Sequence, residues 1–141
     1  MTLYLAPIVE GQTEQLCVER LLHRIWYELL QCPDRLQVLE PIRGRRDVLI
    51  DEKRDDLARA VEKAQIKARE RGRHDPQGRT LVLVLLDAED DCPAKLGPRL
   101  LETARKAWSG ADERPGARAV TIGCGVVFLV LLIVVGVLVL R

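Results

Sequence analysis

Apolar runs and amphipathic stretches alternate along the first part of the chain. Leu3 to Val9 and Leu81 to Leu86 are short runs with almost no polar residue, the pattern of strands covered on both faces rather than of strands with one wet side. Pro7 interrupts the first run, and because proline gives no ladder hydrogen bond it predicts an edge strand or a strand end there. Leu36 to Ile42, broken by Pro41, reads as a further strand with weaker patterning. Between these runs the period changes to that of a helix. Gln12 to Trp26 places Leu16, Leu21, Leu22, Ile25 and Trp26 on one stripe, Asp55 to Arg71 does the same with Leu57, Ala58, Val61, Ala64, Ile66 and Ala68, and Cys92 to Trp108 follows with Leu96, Leu100, Leu101, Ala104 and Ala107. Pro98 should bend or restart that last helix. Turn clusters at 31–34 and 72–78 separate the elements. The order β-α-β-α-β-α predicts a three-layer α/β domain with a mostly parallel sheet over residues 1–110, followed by a linker at 111–119.

The pattern then changes abruptly. From Ile122 to Leu140 there is no charged residue, a run close to the ~20 apolar residues that cross a bilayer. A C-terminal apolar helix over 120–141 is the first reading. Arg114 and Arg118 before it and Arg141 after it favour a cytoplasmic domain tethered to the inner membrane. Buried strands with a turn near Gly123 to Gly125 or Gly136 are the second, and a tail read in a shifted frame is the third.

Composition narrows the classes. In 141 residues, 22 Lys plus Arg stand against 21 Asp plus Glu, so no global basic field announces a nucleic-acid binder, although a local one remains open. Cys17, Cys32, Cys92 and Cys124 form no Cys-x-x-Cys pair and only two histidines accompany them, which argues against a zinc site or a disulfide framework and predicts reduced, mostly buried thiols. The N-terminus lacks the basic start of a secretion signal.

Chemistry concentrates at the ends of the predicted strands. Asp87, Glu89, Asp90 and Asp91 follow Leu86 at once, at the carboxyl edge where open α/β sheets bind ligands, and carboxylates so close need water, protons or a cation. Asp91 before Cys92-Pro93 also fits a helix N-cap, whereas Asp87 and Glu89 would project to one side if strand geometry persisted. Glu10 ends the first strand and Glu14 lies in the first turn of the helix behind it, where a carboxylate equally suits the helix dipole. The loop Arg43-Gly44-Arg45-Arg46 leaves the same edge; Arg43, Arg45 and Arg46 are candidate phosphate ligands, or partners of Asp47, Asp51 and Glu52 on a solvated loop. His74 has no second ligand near it and reads as a surface residue.

Val9-Glu10-Gly11-Gln12-Thr13-Glu14 and Leu86-Asp87-Ala88-Glu89-Asp90-Asp91 together resemble the two acidic signatures of the Toprim fold of topoisomerases, bacterial primases and overcoming-lysogenization-defect nucleases. They are most similar to a bacterial Toprim-like family of unknown function with a Val-Glu-Gly start and an Asp-Ala-Asp/Glu-Asp-Asp-Cys-Pro segment. The resemblance spans about the first 110 residues by element order. It implies Mg²⁺ or Mn²⁺ held by Glu10, Asp87 and Glu89, with Glu14 as a further ligand, and phosphodiester cleavage in nucleic acid with Glu10 and Asp87 catalytic. Glu89 departs from the Asp-x-Asp pattern by one methylene. The later strand and Glu-Phe-Glu-Ala-Trp-Phe-type segment of such relatives have no counterpart here. A non-catalytic regulatory module working with a partner ATPase, and a membrane-tethered adaptor, are the alternatives.

Overall fold

β1 (Thr2–Val9) is the middle of the fold, and its neighbours explain its composition. In the computed structural model, which describes residues 1–87 and 89–109 and the backbone of 118–124, β1 pairs in parallel on one side with β2 (Arg35–Val38) and then β3 (Ile42–Arg43). On its other side runs β4 (Arg79–Asp87), itself paired in parallel with β5 (Arg118–Cys124). The sheet order is β2-β1-β4-β5, with β3 beside β1. The predicted α/β architecture with an open parallel sheet is present.

Helices cover both faces, as the unbroken apolar strands require. α1 (Gln12–His23) packs Val18 and Leu22 on Leu5, Val9, Leu36 and Leu83. On the opposite face α3 (Asp56–Gly72) and α4 (Pro93–Ser109) bring Leu57, Val61, Ala64, Leu96, Leu100 and Trp108 onto Ala6, Ile8, Val82, Val84 and Leu86. Alternate residues of β1 and β4 serve alternate faces, as the pleat dictates. α4 continues through Pro98 without a break. The chain leaves β1 towards β2 by way of α1, and returns past β1 to β4 by way of α2 (Arg46–Leu49) and α3. The winding direction therefore reverses between β1 and β4.

Pro7 corrects one expectation, because it lies in a central strand. The Leu5 carbonyl accepts from Leu39 N–H (2.8 Å) and the Val9 carbonyl from Gly44 N–H (3.0 Å), so odd-numbered β1 residues direct their backbone groups towards β2 and β3. The missing N–H of Pro7 thus faces the gap between Val38 and Ile42, where no strand stands to accept it. The single strand expected over Leu36 to Ile42 is split by that same gap.

The C-terminal expectation also changes. Residues 118–124, assigned from sequence to the linker and the start of an apolar helix, pair with β4 from Leu81↔Arg118 to Asp87↔Cys124. Val120, Thr121 and Ile122 are β-branched and suit a strand, and pairing satisfies the edge of β4 that would otherwise be open. Among the described residues no helix is long and apolar enough to cross a membrane; the rest of the Ile122 to Leu140 run lies outside them.

The helix behind β1 ends in a π-helical segment (Arg24–Leu29), where Leu30 N–H reaches the Ile25 carbonyl at 2.8 Å. The extra residue turns Trp26 Nε1–H onto the Asp34 carbonyl (2.7 Å) and the Tyr27 hydroxyl towards Leu36 N–H (2.8 Å). The segment therefore fastens the 31–36 turn to the start of β2.

At the amino end of the sheet, the Tyr4 hydroxyl donates to Asp75 Oδ2 (3.2 Å). Burial opposes ionisation of Asp75, but hydrogen bonds from Thr2, Tyr4 and the Gln77 and Gly78 N–H groups outweigh it and hold the carboxyl below its usual range. Burial, then the bond to Asp75, pushes the Tyr4 phenol up. Because the folded pKa of Asp75 lies below the unfolded value near 4, its stabilisation is fully present above that value and is lost as pH falls through the folded one. Asp75→Asn should therefore melt below wild type at neutral pH, with a gap that closes below about pH 4. Melting curves across acid pH check this, and a pH-independent gap would contradict it.

Candidate functional site

Three strand ends and one loop converge where the winding reverses. Val9 is level with Leu85 on one side and Arg43 on the other, so Glu10, one residue beyond β1, stands beside the end of β4. Asp87 N–H donates to Glu10 Oε2 (3.3 Å). Glu10 is half-buried and Asp87 exposed. The Glu10 carboxylate therefore lies against the backbone of Asp87, the other acidic residue that the sequence singled out, and Glu10 Oε1 has no partner among the described residues.

Glu89 is positioned differently from expectation. Strand geometry stops at Asp87, and Glu89 takes a left-handed backbone conformation (φ 46°), which non-glycine residues adopt at a cost. Its N–H bonds to Asp87 Oδ1 (3.2 Å), closing an Asx-type turn. One Asp87 oxygen thus has a structural task. Asp91 is no N-cap either, since α4 starts at Pro93 with the Cys92 carbonyl receiving the Lys95 and Leu96 N–H groups (2.9 Å each).

What turns Asp91 outwards is Arg46, whose side chain is 12% exposed. Its Nε–H donates to the Asp87 carbonyl (2.7 Å), one terminal nitrogen stands 3.3 Å from Glu89 Oε2, and the other pairs with Asp91 Oδ2. The loop is pinned for this. Gly44 N–H holds the Val9 carbonyl, and a Cβ on Gly44 would stand 2.9 Å from the methyls of buried Leu49. The acidic turn carries its own counter-ion, an arginine that the sequence assigned to a phosphate or to Asp47, Asp51 and Glu52. The pairing joins residues more than forty positions apart and becomes visible once the strand order is known.

The other candidates fall out as follows. Arg45 forks onto Asp47 (2.7 and 3.2 Å) in solvent, as the solvated-loop alternative had it. Asp51 instead accepts the Lys53 N–H (3.0 Å) and Glu52 pairs with Arg99 (3.0 Å). Arg43 ends β3, exposed, with no ion pair among the described residues. Glu14, third residue of α1, folds back over the N-cap Gly11 so closely that a Cβ there would overlap its carboxylate, the position from which a glutamate stabilises a helix start. His74 is exposed. Contrary to expectation, the Cys17 and Cys92 thiols are exposed; Cys32 is half-buried, and burial, with Asp34 beside it, raises its pKa.

Fold and site together define an open parallel α/β domain with acidic strand ends at the reversal of its strand order. No family model matches the chain, and neither a curated protein nor a solved structure shows significant similarity to it.

Among the described residues no group of three or more carboxylates, imidazoles and thiols is arranged to hold one metal ion. Magnesium does not need such a cage, because it commonly takes one or two carboxylates and keeps its waters. Glu10 and Asp87 meet that smaller requirement in donor type, and the Asp87 N–H bond to Glu10 places the two residues side by side.

Proposed function

We propose that this chain is a Toprim-like, Rossmann-like three-layer domain that binds Mg²⁺ or Mn²⁺ and acts on phosphodiester bonds of nucleic acid. The observation that carries this reading is the hydrogen bond from the Asp87 N–H to the Glu10 carboxylate, which brings these two acidic residues together at the point of strand reversal, the place where open α/β sheets bind their ligands. Glu10 and Asp87 would hold the ion, with Glu89 and Glu14 as the further carboxylates that the resemblance implies. A bound divalent ion supplies neutralisation of the phosphoryl charge. The chain's own residues do the rest. Glu10, oriented by the Asp87 N–H, keeps Oε1 free to accept a proton from water, and Arg43 offers its fork to a phosphate oxygen.

A second reading, a non-catalytic module working with a partner such as an ATPase, rests on Arg46, which already neutralises Glu89 and Asp91. Thermal unfolding of the full chain with Mg²⁺ or Mn²⁺ separates the two. A ligand specific for the native state stabilises by about 2.7 kcal/mol at a hundredfold excess over its dissociation constant, and Glu10→Gln with Asp87→Asn should abolish the effect. Mn²⁺-dependent plasmid nicking that disappears in the same double variant completes the case. Wild type indifferent to both ions would leave the module without chemistry.

A further inference from the structure

The opposite pole of the sheet has the opposite charge. Thr2 is in register with Arg35, Leu3 with Arg79, and Leu81 with Arg118, so three of the parallel strands begin with arginine along one edge. α3 runs antiparallel to the strands and delivers its last turn, with Arg71 and then Arg73, to the same edge. Its Gly72 abuts the Tyr4 ring, and the charges of Arg35 and Arg71 act on the Tyr4 phenol. Arg35, Arg71, Arg73 and Arg79 are exposed and form no ion pair among the described residues.

The nearby carboxylates are mostly committed elsewhere. Asp34 holds the chain's α-ammonium at 3.1 Å, and Asp75 is taken by Tyr4 and the Gln77 N–H. Against the four guanidinium groups stands Glu70. Elsewhere several arginines are matched, Arg24 with Glu28, Arg45 with Asp47, Arg54 and Arg59 with Asp56, and Arg99 with Glu52, while Arg20 and Arg43 stand singly among the described residues on other parts of the surface.

We propose that this arginine-lined amino edge is a binding surface for a nucleic-acid backbone. Four strands at ~4.8 Å spacing make the edge roughly 14 Å wide, too broad for one phosphate. Duplex DNA carries a charge every ~1.7 Å of axis and so meets several of these groups at once. The cations are guanidinium groups, whose planar forks suit phosphodiester oxygens. Exposed large apolar side chains at this end of the sheet are Met1 and, on the segment fastened to the start of β2, Tyr27 and Leu29; the partner is assigned as nucleic acid on the guanidinium groups, whose forks fit phosphodiester oxygens. The edge lies about 26 Å from the acidic strand ends along β4, and its binding needs no metal.

Fluorescence anisotropy of a labelled mixed-sequence DNA duplex with the full chain, in chelator and at several salt concentrations, tests this. Wild type should bind with a steep salt dependence. Arg35→Gln with Arg71→Gln, and separately Arg73→Gln with Arg79→Gln, should each weaken binding about tenfold or more and flatten the log–log salt slope by roughly two. Arg54→Gln with Arg59→Gln removes the same charge from paired positions and should leave both readouts alone. Equal weakening by all three variants would reduce the effect to net charge and overturn the assignment. So would binding to phosphatidylserine vesicles but not to the duplex, or no binding by wild type. Because chelator is present, loss of duplex binding refutes this surface without bearing on the metal reading.

Discussion

Arg46→Gln is expected to lower the stability of the metal-free protein by about 2 kcal/mol while tightening Mn²⁺ binding at least tenfold. The two effects have one origin. Arg46 is nearly buried, but Glu89 and Asp91 are half-exposed, with side-chain exposures of 57% and 50%. The loss therefore falls between the ~0–1 kcal/mol of a surface pair and the 3–5 kcal/mol of a fully buried one. Glutamine keeps part of the stem packing and one donor for the Asp87 carbonyl, so the fold should survive. What disappears is a full positive charge beside the acidic strand end. At about 6 Å and an effective dielectric near 20, a unit charge opposes another by roughly 2.8 kcal/mol, and half of that already corresponds to tenfold. Calorimetric Mn²⁺ titration and denaturant unfolding of the two proteins measure both effects. Weaker Mn²⁺ binding in the variant would mean that Arg46 organises the carboxylates for the ion rather than competing with it. Unchanged binding would separate Arg46 from the site.

How far the sequence could be read follows the range of each interaction. β1, β4 and α3 were legible because burial on one stripe or on both faces leaves a local periodicity, and Glu10 with Asp87 because each ends such a run. Pro7 misled, since a proline in a central strand is tolerable here through a gap between β2 and β3 that local pattern does not reveal. β5 straddles the assigned linker and the start of a longer apolar run that has no period of its own. Arg46 and the arginine edge were illegible for a different reason. Ion pairing of Arg46 with Asp91, and the register that brings Arg35, Arg79 and Arg118 to one edge, depend on strand order. The same local sequence, Arg43-Gly44-Arg45-Arg46, contains a free fork, a surface pair and a nearly buried counter-ion.

Gln65→Met should stabilise the protein by about 1–2 kcal/mol, an unusual direction for a buried residue. Gln65 is 1% exposed in α3, among Val61, Ala64 and Ala68, and its Nε2 has no hydrogen-bond partner among the described residues. An amide removed from water without a partner carries a penalty on the order of 1–3 kcal/mol in proteins. Methionine has nearly the same volume and one unbranched stem, so it fills the space without a cavity or overpacking. Its helix propensity matches that of glutamine, which removes the backbone as a source of difference. For a domain of this size the gain corresponds to a rise of a few degrees in melting temperature. Gln65→Ala separates the polar contribution from packing, because it also relieves the amide but opens a cavity and should be net destabilising. A destabilised Gln65→Met would show that a buried water or a group beyond the described residues satisfies the amide. The glutamine would then be part of a polar network beneath α3 rather than an unpaired residue in an apolar core.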